Sequence, residues 1–311
     1  MEIGVVGCGA MGSIYAALFA ESGHNVFVVD TNIAHVEAIK RSGLKITGAS
    51  GERVIKFQAY TAVPPRKAEL LVVAVKAMHL ASAIPAIRAL ITPETMLVTI
   101  QNGLGAAEEL VRTIKHRKIF VGVAQGFGAS MPKPGLIHHS DMKAIRIGRF
   151  QPAPEGNRLG HLLKDLTSIW QNAGFETYTE RDIRVAQWEK LICNVAYSAL
   201  CALTGMTLGE VLRNEYISKI SRAAAVEAWE IARDQNIPLS FDDPVKEVRN
   251  FGERMPNAKP SVLLDIEAGR PSEIDVINGA VPIEAEKVGS SAPVNSTLTN
   301  LVKSLERTRY E

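Results

Sequence analysis

Hydrophobic and polar positions follow two different patterns along the chain, and the change comes near residue 180. In the first part, short apolar runs typical of buried strands are separated by stretches with helical spacing. The predicted strands are Ile3–Val6, Val26–Val29, Glu69–Val75, Met96–Ile100, Ile119–Val123 and Ala144–Gly148. The predicted helices between them are residues 10–22, 33–42, 78–90 and 104–114. This alternation predicts a mostly parallel, doubly wound sheet with right-handed crossovers.

From about Asp182 onward, strand signals nearly vanish and helical spacing dominates. The predicted helices are residues 182–204, 207–236, 260–270, 274–288 and 292–307, and prolines punctuate the stretches between them. A length of 311 residues also favours two domains over one. We therefore expect an α/β chain with an N-terminal Rossmann domain over residues 1–180 and an all-α domain over residues 181–311.

Composition and charge exclude several classes of partner. Apolar residues make up 46% of the chain, charged residues 22%, and the formal net charge is +2. Without a basic block we expect no nucleic-acid partner. No apolar run approaches the roughly 20 residues that span a bilayer, so we expect no signal peptide or membrane anchor. Three cysteines, Cys8, Cys193 and Cys201, lack metal-ligand spacing and favour a reduced, cytoplasmic setting.

A glycine-rich turn follows the first predicted strand directly and opens the first predicted helix. This G-x-G-x-x-G run consists of Gly7, Cys8, Gly9, Ala10, Met11 and Gly12. In that context it predicts a dinucleotide site: Gly7 permits the tight turn, Gly9 lets a pyrophosphate approach the backbone, and Gly12 allows close packing of helix on strand. The alternative is a glycine-rich connection of purely structural use.

Asp30 ends the second predicted strand, eighteen residues after Gly12. A carboxylate there can accept hydrogen bonds from a ribose 2′-OH and would repel a 2′-phosphate. Thr31 and Asn32 bring no cation, so we expect NAD(H) to be favoured over NADP(H). Asp30 could instead be a solvated strand-end residue, and a cation from elsewhere, such as Arg41, could reverse the cofactor preference.

Five segments together resemble one family, the 2-dehydropantoate 2-reductases or ketopantoate reductases. They are GVVGCGAMG, VKAMH, TIQNGLG, WEKLICN and SVLLDIEAGRPSEIDVINGAVP. The resemblance extends from residue 1 to about residue 305, and the segment that starts at Ser261 is its most specific part. It implies reduction of ketopantoate to D-pantoate by hydride transfer from a nicotinamide, usually NADPH, on the route to pantothenate and coenzyme A.

The resemblance also implies roles for individual residues. Lys190 matches the general acid toward the keto oxygen, and Glu273 matches the glutamate that positions the site around it. The remaining matches are Asn102 beside nicotinamide and substrate, Asn194 with substrate, Ser261 with the substrate carboxylate, and Lys76 near the cofactor. A homodimer through C-terminal helices and a small 2-oxo acid substrate are further implications.

The residues themselves support part of this assignment. Lys190, Asn194 and Ser198 are spaced i, i+4, i+8, which places them on one helix face. A lysine on a helix rich in apolar residues is expected to be partly desolvated, which lowers its pKa and helps it donate a proton. The alternative is a lysine whose stem lies along apolar surface while its charge stays in water. Similarly, Ser272 and Glu273 could simply cap and begin a helix.

Two positions depart from the family pattern. Thr31 replaces the arginine or lysine that many members use for a 2′-phosphate, which supports NADH. Ser198 replaces a second substrate-contacting asparagine, and a hydroxyl is shorter than an amide and has one donor instead of two. Two alternatives therefore stay open: an NAD-dependent dehydrogenase of another 2-hydroxy or 2-oxo acid, and a catalytically silent NAD(H) sensor.

His138, His139 and Asp141 could suggest a metal site. No third His or Cys has supporting spacing, and adjacent residues in a strand point to opposite faces. We therefore expect no metal and assign these residues to a surface loop.

Overall fold

The computed structural model describes residues 1–126, 128–141, 143–150 and 158–310. The chain divides into two compact units. The first comprises Met1–Gln101 and Ala106–Ile183, and the second comprises Asn102–Gly105 and Arg184–Glu311. The four residues Asn102–Gly105 therefore make most of their contacts with the C-terminal part of the chain.

The first unit contains the strands of the structure and five helices among its described residues. The strands are β1 (Glu2–Val6), β2 (Asn25–Val29), β3 (Leu44–Gly48), β4 (Arg53–Ile55), β5 (Gln58–Tyr60), β6 (Leu70–Val73), β7 (Met96–Thr99), β8 (Ile119–Gln125), β9 (Gly128–Lys133), β10 (Leu136–Asp141), β11 (Ala144–Arg149) and β12 (Thr177–Glu180). The helices are α1 (Ala10–Glu21), α2 (Ile33–Ser42), α3 (Leu80–Leu90), α4 (Ala106–Ile114) and α5 (Arg158–Asn172). A 3-10 turn, Ala77–His79, precedes α3.

The main sheet has eight strands in the order β12-β11-β8-β7-β6-β1-β2-β5. The six strands from β8 to β5 run parallel, and β11 pairs antiparallel with β8. The chain moves from β1 to β2 on one side and later returns to place β6 on the other side of β1. The carboxyl end of β1 is therefore a topological switch point, where ligands bind in open α/β sheets.

Successive residues of the central strands enter two different cores. Val28 and Val72 belong to the core that includes α1, whereas Phe27 and Val73 belong to the core that includes α3 and α4. This follows from the two-residue period of a strand, and it explains why the buried residues of these strands are mostly apolar. The predicted Rossmann fold with a doubly wound sheet is confirmed.

A second sheet, in the order β4-β3-β10-β9, was not predicted. The expectation of a surface loop at His138–His139 is wrong, because both residues lie in β10. His139 is fully buried and its Nδ1 lies 2.9 Å from the Ser50 hydroxyl. Alternation along the strand turns one histidine inward, and a hydroxyl satisfies its ring nitrogen there.

The second unit contains helices and no strand in its described part, which confirms the predicted C-terminal class. Its helices are α6 (Ile183–Thr204), α7 (Leu208–Arg213), α8 (Ile217–Asp234), α9 (Pro244–Arg254), α10 (Ser261–Glu267), α11 (Ala280–Glu286) and α12 (Pro293–Tyr310). The predicted helix 207–236 is divided between α7 and α8, and the prediction missed α9. The predicted helix 274–288 is also wrong in part, because a 3-10 turn, Ile274–Val276, precedes α11.

The described residues contain neither a membrane-spanning helix nor a metal-binding group of side chains. None of their helices is both long enough and apolar enough to cross a membrane. Within the same ranges, no three His, Cys, Asp or Glu side chains are grouped so as to hold a metal ion.

Candidate functional site

The glycine turn between β1 and α1 has the geometry that a dinucleotide requires. Gly7 has φ +91°, and a Cβ there would lie 2.5 Å from the Val75 backbone nitrogen. A Cβ on Gly12 would lie 1.9 Å from the Gly7 carbonyl oxygen, so helix and turn touch at this point. A Cβ on Gly9 would meet nothing within 4 Å. The backbone is therefore open at Gly9 alone of the three, where a pyrophosphate would have to approach.

The start of α1 offers backbone donors at the same place. Gly9 is the N-cap residue and provides no side-chain hydrogen bond to the first turn. Ala10 and Met11 are partly exposed, whereas Cys8 is completely buried. Uncapped N–H groups and the helix dipole favour an anion at such a position. These residues thus fit the phosphates of a dinucleotide.

Asp30 braces the glycine turn, a role that the sequence did not reveal. Its Oδ2 accepts a hydrogen bond from the Cys8 backbone N–H at 2.5 Å, and its Oδ1 accepts one from the Asn32 N–H at 2.8 Å. Each carboxylate oxygen retains a second acceptor site, so the side chain can still receive a ribose hydroxyl. Lys76 lies just before the 3-10 turn that follows β6 and is partly exposed.

A buried polar cluster lies beneath the turn, and the sequence did not predict it. His35 on α2 places Nε2 3.1 Å from the Ser13 hydroxyl, and its Nδ1 accepts a hydrogen bond from the Gly135 N–H. The Ser13 hydroxyl also donates to the Cys8 carbonyl oxygen at 3.0 Å. Burial lowers the pKa of His35, so a neutral imidazole fits the site. The signal available was helical periodicity, because His35 shares the buried face of α2 with Val36 and Ile39.

In the second unit, Lys190 and Asn102 are in direct contact although 88 residues separate them in sequence. The Lys190 ammonium donates a hydrogen bond to the Asn102 Oδ1 across 2.7 Å. The oxygen of the amide is thereby committed to the lysine, and its NH₂ group is left to donate elsewhere. Both side chains are partly buried.

The environment of Lys190 changes its acidity. Desolvation by burial lowers the pKa of its ammonium to about 8, and the negative charge of Glu273 opposes part of that change. A lysine with a pKa in this range holds a proton at neutral pH and releases it far more readily than a solvated one. Glu273 is partly buried and begins the 3-10 turn Ile274–Val276, with the Ser272 hydroxyl accepting from the Ile274 N–H at 3.3 Å.

The other predicted substrate residues differ in exposure. Asn194 lies one helical turn after Lys190 on α6 and is partly buried. Ser198 lies one turn further and is only 2% exposed, between the core residues Tyr197 and Ala199. Ser261 is exposed and is the first residue of α10.

An open glycine turn at the switch point of a parallel sheet is typical of a dinucleotide-binding protein, and a desolvated lysine can act as a general acid. The chain belongs to the ketopantoate reductase family. The profile of the family described as "Ketopantoate reductase PanE/ApbA" matches residues 3–152, and its C-terminal counterpart matches residues 182–306. Members of this family are nicotinamide-dependent oxidoreductases that act on a keto group.

Individual relatives agree over the whole length. The 2-dehydropantoate 2-reductase of Pyrococcus abyssi is 28% identical over 309 residues, covering 98% of each chain. The crystal structure of a PanE/ApbA family ketopantoate reductase from Ralstonia eutropha has a TM-score of 0.89 at 28% identity, covering 100% of both chains. A structure of D-mandelate dehydrogenase with NADH and anilino(oxo)acetate has a TM-score of 0.90 with the same coverage, but its 23% identity supports the fold alone.

Proposed function

We propose that this protein reduces 2-dehydropantoate to D-pantoate with a nicotinamide cofactor, NADH in preference to NADPH. The observation that carries the proposal is the Lys190–Asn102 hydrogen bond, made by a lysine with a pKa of about 8. This pair combines a proton donor with an oriented amide, which is what reduction of a keto group needs beside a hydride donor. Membership of the family supports the choice of reaction.

The bound cofactor would supply the hydride. The residues that would hold it are the glycine turn at its phosphates, Lys76 beside it, and Asp30 at the adenosine ribose. Asp30 supports the preference for NADH, because its charge is fixed in place by the Cys8 and Asn32 N–H groups. A 2′-phosphate would have to approach this carboxylate, and Thr31 offers no positive charge to offset the repulsion.

The helical residues would bind and protonate the substrate. The Lys190 ammonium has three protons, of which one is donated to Asn102, so another can be given to the keto oxygen as charge develops there. Asn102 would hold the substrate through its free amide NH₂. The Ser261 hydroxyl would bind the carboxylate at the exposed start of α10, and Asn194 would donate from the same helix as Lys190.

The first experiment measures oxidation of NADH and NADPH with ketopantoate in the wild type, the Lys190→Ala variant and the Lys219→Ala control. Lys219 is an exposed lysine of the same unit. We expect Lys190→Ala to bind NADH as the wild type does and to lose about 10²–10⁴-fold in kcat/KM, the range of general acid catalysis. Lys219→Ala is expected to match the wild type. Near wild-type turnover in Lys190→Ala would contradict the assignment of the acid.

A second candidate is the reduction of a different 2-oxo acid, and Ser198 favours it. The Ser198 side chain is only 2% exposed, and its hydroxyl has one donor where the asparagine of the family has two. A buried polar group of the substrate that is left without a partner costs about 1–3 kcal/mol. A panel of 2-oxo acids with both cofactors separates the two candidates. A silent sensor would show cofactor binding without turnover for every acid of the panel.

A homodimer and a cytoplasmic location stay predictions, and light scattering after size-exclusion chromatography tests the first.

A further inference from the structure

One short segment, Glu273–Gly279, interacts with Lys190, with the turn that carries Asn102 and with helix α6. It carries Glu273 at its first position, and Glu273 acts electrostatically on Lys190. Its middle accepts a hydrogen bond at the Val276 carbonyl oxygen from the Leu104 N–H at 3.1 Å. Leu104 follows Asn102 by two residues, so this bond holds the backbone that presents the asparagine.

The contact at Val276 leaves no free space. A Cβ on Gly103 would lie 1.9 Å from the Val276 carbonyl oxygen, and Gly103 has φ +75°. The turn that carries Asn102 is therefore pressed directly against the segment backbone, and only glycine permits that approach.

Asn278, near the other end of the segment, holds the lysine helix. Its side chain is fully buried, and its Nδ2 donates to the Val195 carbonyl oxygen of α6 at 3.0 Å and to the Asn295 Oδ1 at 2.9 Å. Val195 lies five residues after Lys190 on the same helix. The bond therefore fixes the segment to the part of α6 that carries the general acid.

The orientation of Asn278 is itself determined by a second buried amide. Asn295 is fully buried, and its Nδ2 donates to the Ala224 carbonyl oxygen and to the Glu227 Oε2, both at 2.9 Å. Because Asn295 uses its donors there, its oxygen faces Asn278. Glu227 also accepts from the Val294 and Asn295 N–H groups, which anchors the start of α12. These bonds join α6, α8 and α12 to the segment through the donors of two buried amides, while the Asn278 Oδ1 has no hydrogen-bond partner among the described residues.

We infer that Asn278 is a positioning residue for the reaction: it fixes the Glu273–Gly279 segment to the Lys190 helix and so sets the placement of Lys190, Asn102 and Glu273 together. This inference rests on the proposed function. Its signature is a loss of turnover without a loss of cofactor affinity, because the glycine turn belongs to the other unit.

The test compares Asn278→Ala with Thr299→Val. Thr299 is 7% exposed and donates to the Asn295 carbonyl oxygen at 2.8 Å, so its variant also loses a buried hydrogen bond, one that lies outside the segment. Misplacement of about 1 Å costs about 10²-fold in rate. We therefore expect kcat of Asn278→Ala to fall by about that factor with unchanged NADH affinity, whereas Thr299→Val lowers the melting temperature alone.

A second readout does not depend on turnover. NMR titration of labelled lysine measures the Lys190 pKa, which is expected to rise from about 8 toward 10.5 in Asn278→Ala, because a displaced ammonium regains water. If the wild type reduces no 2-oxo acid, the proposed function fails while this titration still decides the inference. Equal kcat and equal Lys190 pKa in Asn278→Ala and Thr299→Val would overturn it.

If Asn278→Ala does not fold, Gly103→Ala is the second variant, because its methyl group would push against Val276 of the same segment. It is expected to show the same fall in kcat and the same rise in the Lys190 pKa. Wild-type values for both in a folded Gly103→Ala would likewise overturn the inference.

Discussion

The Lys190 ammonium and the Asn102 amide oxygen lie 2.7 Å apart, and this hydrogen bond joins two predicted site residues that are 88 positions apart in the sequence. One is a cation whose pKa is lowered by burial, and the other is a neutral amide whose oxygen accepts one of the protons of that cation. Protonation of Lys190 therefore controls the supply of a proton, while its hydrogen bond directs the Asn102 NH₂ group away from the lysine.

The first prediction concerns the pH dependence of the reaction. A general acid must be protonated, so kcat/KM for reduction should fall as pH rises through about 8, the pKa of Lys190. The charge of Glu273 raises this pKa, so Glu273→Gln should move the alkaline limb of the profile to lower pH. The measurement is kcat/KM from pH 6 to about 10.

The matched control for this change is Glu286→Gln, an exposed glutamate of α11. It should leave the limb in place. A limb that stays where it is in Glu273→Gln, or that moves equally in both variants, is evidence that a group other than Lys190 titrates.

The second prediction concerns stability. The Lys190 pKa is lowered from 10.5 to about 8 in the folded protein, so the unfolded chain binds more protons between these two values. Folding stability due to this group is therefore lowest below pH 8 and increases as pH rises toward 10.5. In Lys190→Met the contribution is absent. The melting temperature of the wild type should consequently rise relative to that of Lys190→Met over this window, and a difference that is independent of pH would contradict the lowered pKa.

Most of the strands that could be predicted are buried on both faces. Leu70–Val73 is apolar throughout, and Met96–Thr99 is apolar except at Thr99, because each face meets a core. The short strands Arg53–Ile55 and Gln58–Tyr60 bury few side chains, so no apolar run marked them. His139 was missed for a related reason: its burial depends on Ser50, a partner 89 residues away that local pattern does not contain.

The candidate site shows the same limit. Spacing placed Lys190 and Asn194 on one helix face, but it could not bring Asn102 to the lysine; only the family resemblance did so. The prediction of one helix over residues 274–288 did not distinguish the Glu273–Gly279 segment from the helix that follows it. The Asn278-Gly279 pair is a turn signal inside that pattern, and the structure ends the 3-10 turn just before it.

The third prediction separates two glycines of the cofactor turn. Gly9→Ala adds a methyl group where nothing lies within 4 Å, so the protein should fold normally and lose NADH affinity. Gly12→Ala adds one 1.9 Å from the Gly7 carbonyl oxygen, so it should lower the melting temperature of the unit. Gly160→Ala is the control, since its methyl group also meets nothing within 4 Å and lies outside the turn. Thermal unfolding and NADH titration are measured for all three, and unchanged affinity in Gly9→Ala would argue against a phosphate at the turn.

The fourth prediction concerns the choice between NADH and NADPH. Thr31 is exposed directly after Asp30, so Thr31→Arg places a cation beside the carboxylate that would repel a 2′-phosphate. A charge-assisted hydrogen bond contributes about 1.5–3 kcal/mol, so the ratio of kcat/KM for NADPH to that for NADH should rise by about 10–100-fold. The gain should shrink as ionic strength increases, because salt screens an exposed pair. Thr31→Gln has similar length without charge and should leave the ratio close to that of the wild type.

A wild-type preference for NADPH would contradict the cofactor proposal and would require a cation from another element. Arg41 is a poor source, because it lies in the last turn of α2, eight residues after Ile33. That spacing puts it about 12 Å along the helix axis from the end nearest Asp30. Lys76, which follows β6, is the other cation assigned to the cofactor. Lys76→Ala should then remove the NADPH preference, whereas Arg41→Ala should leave it intact.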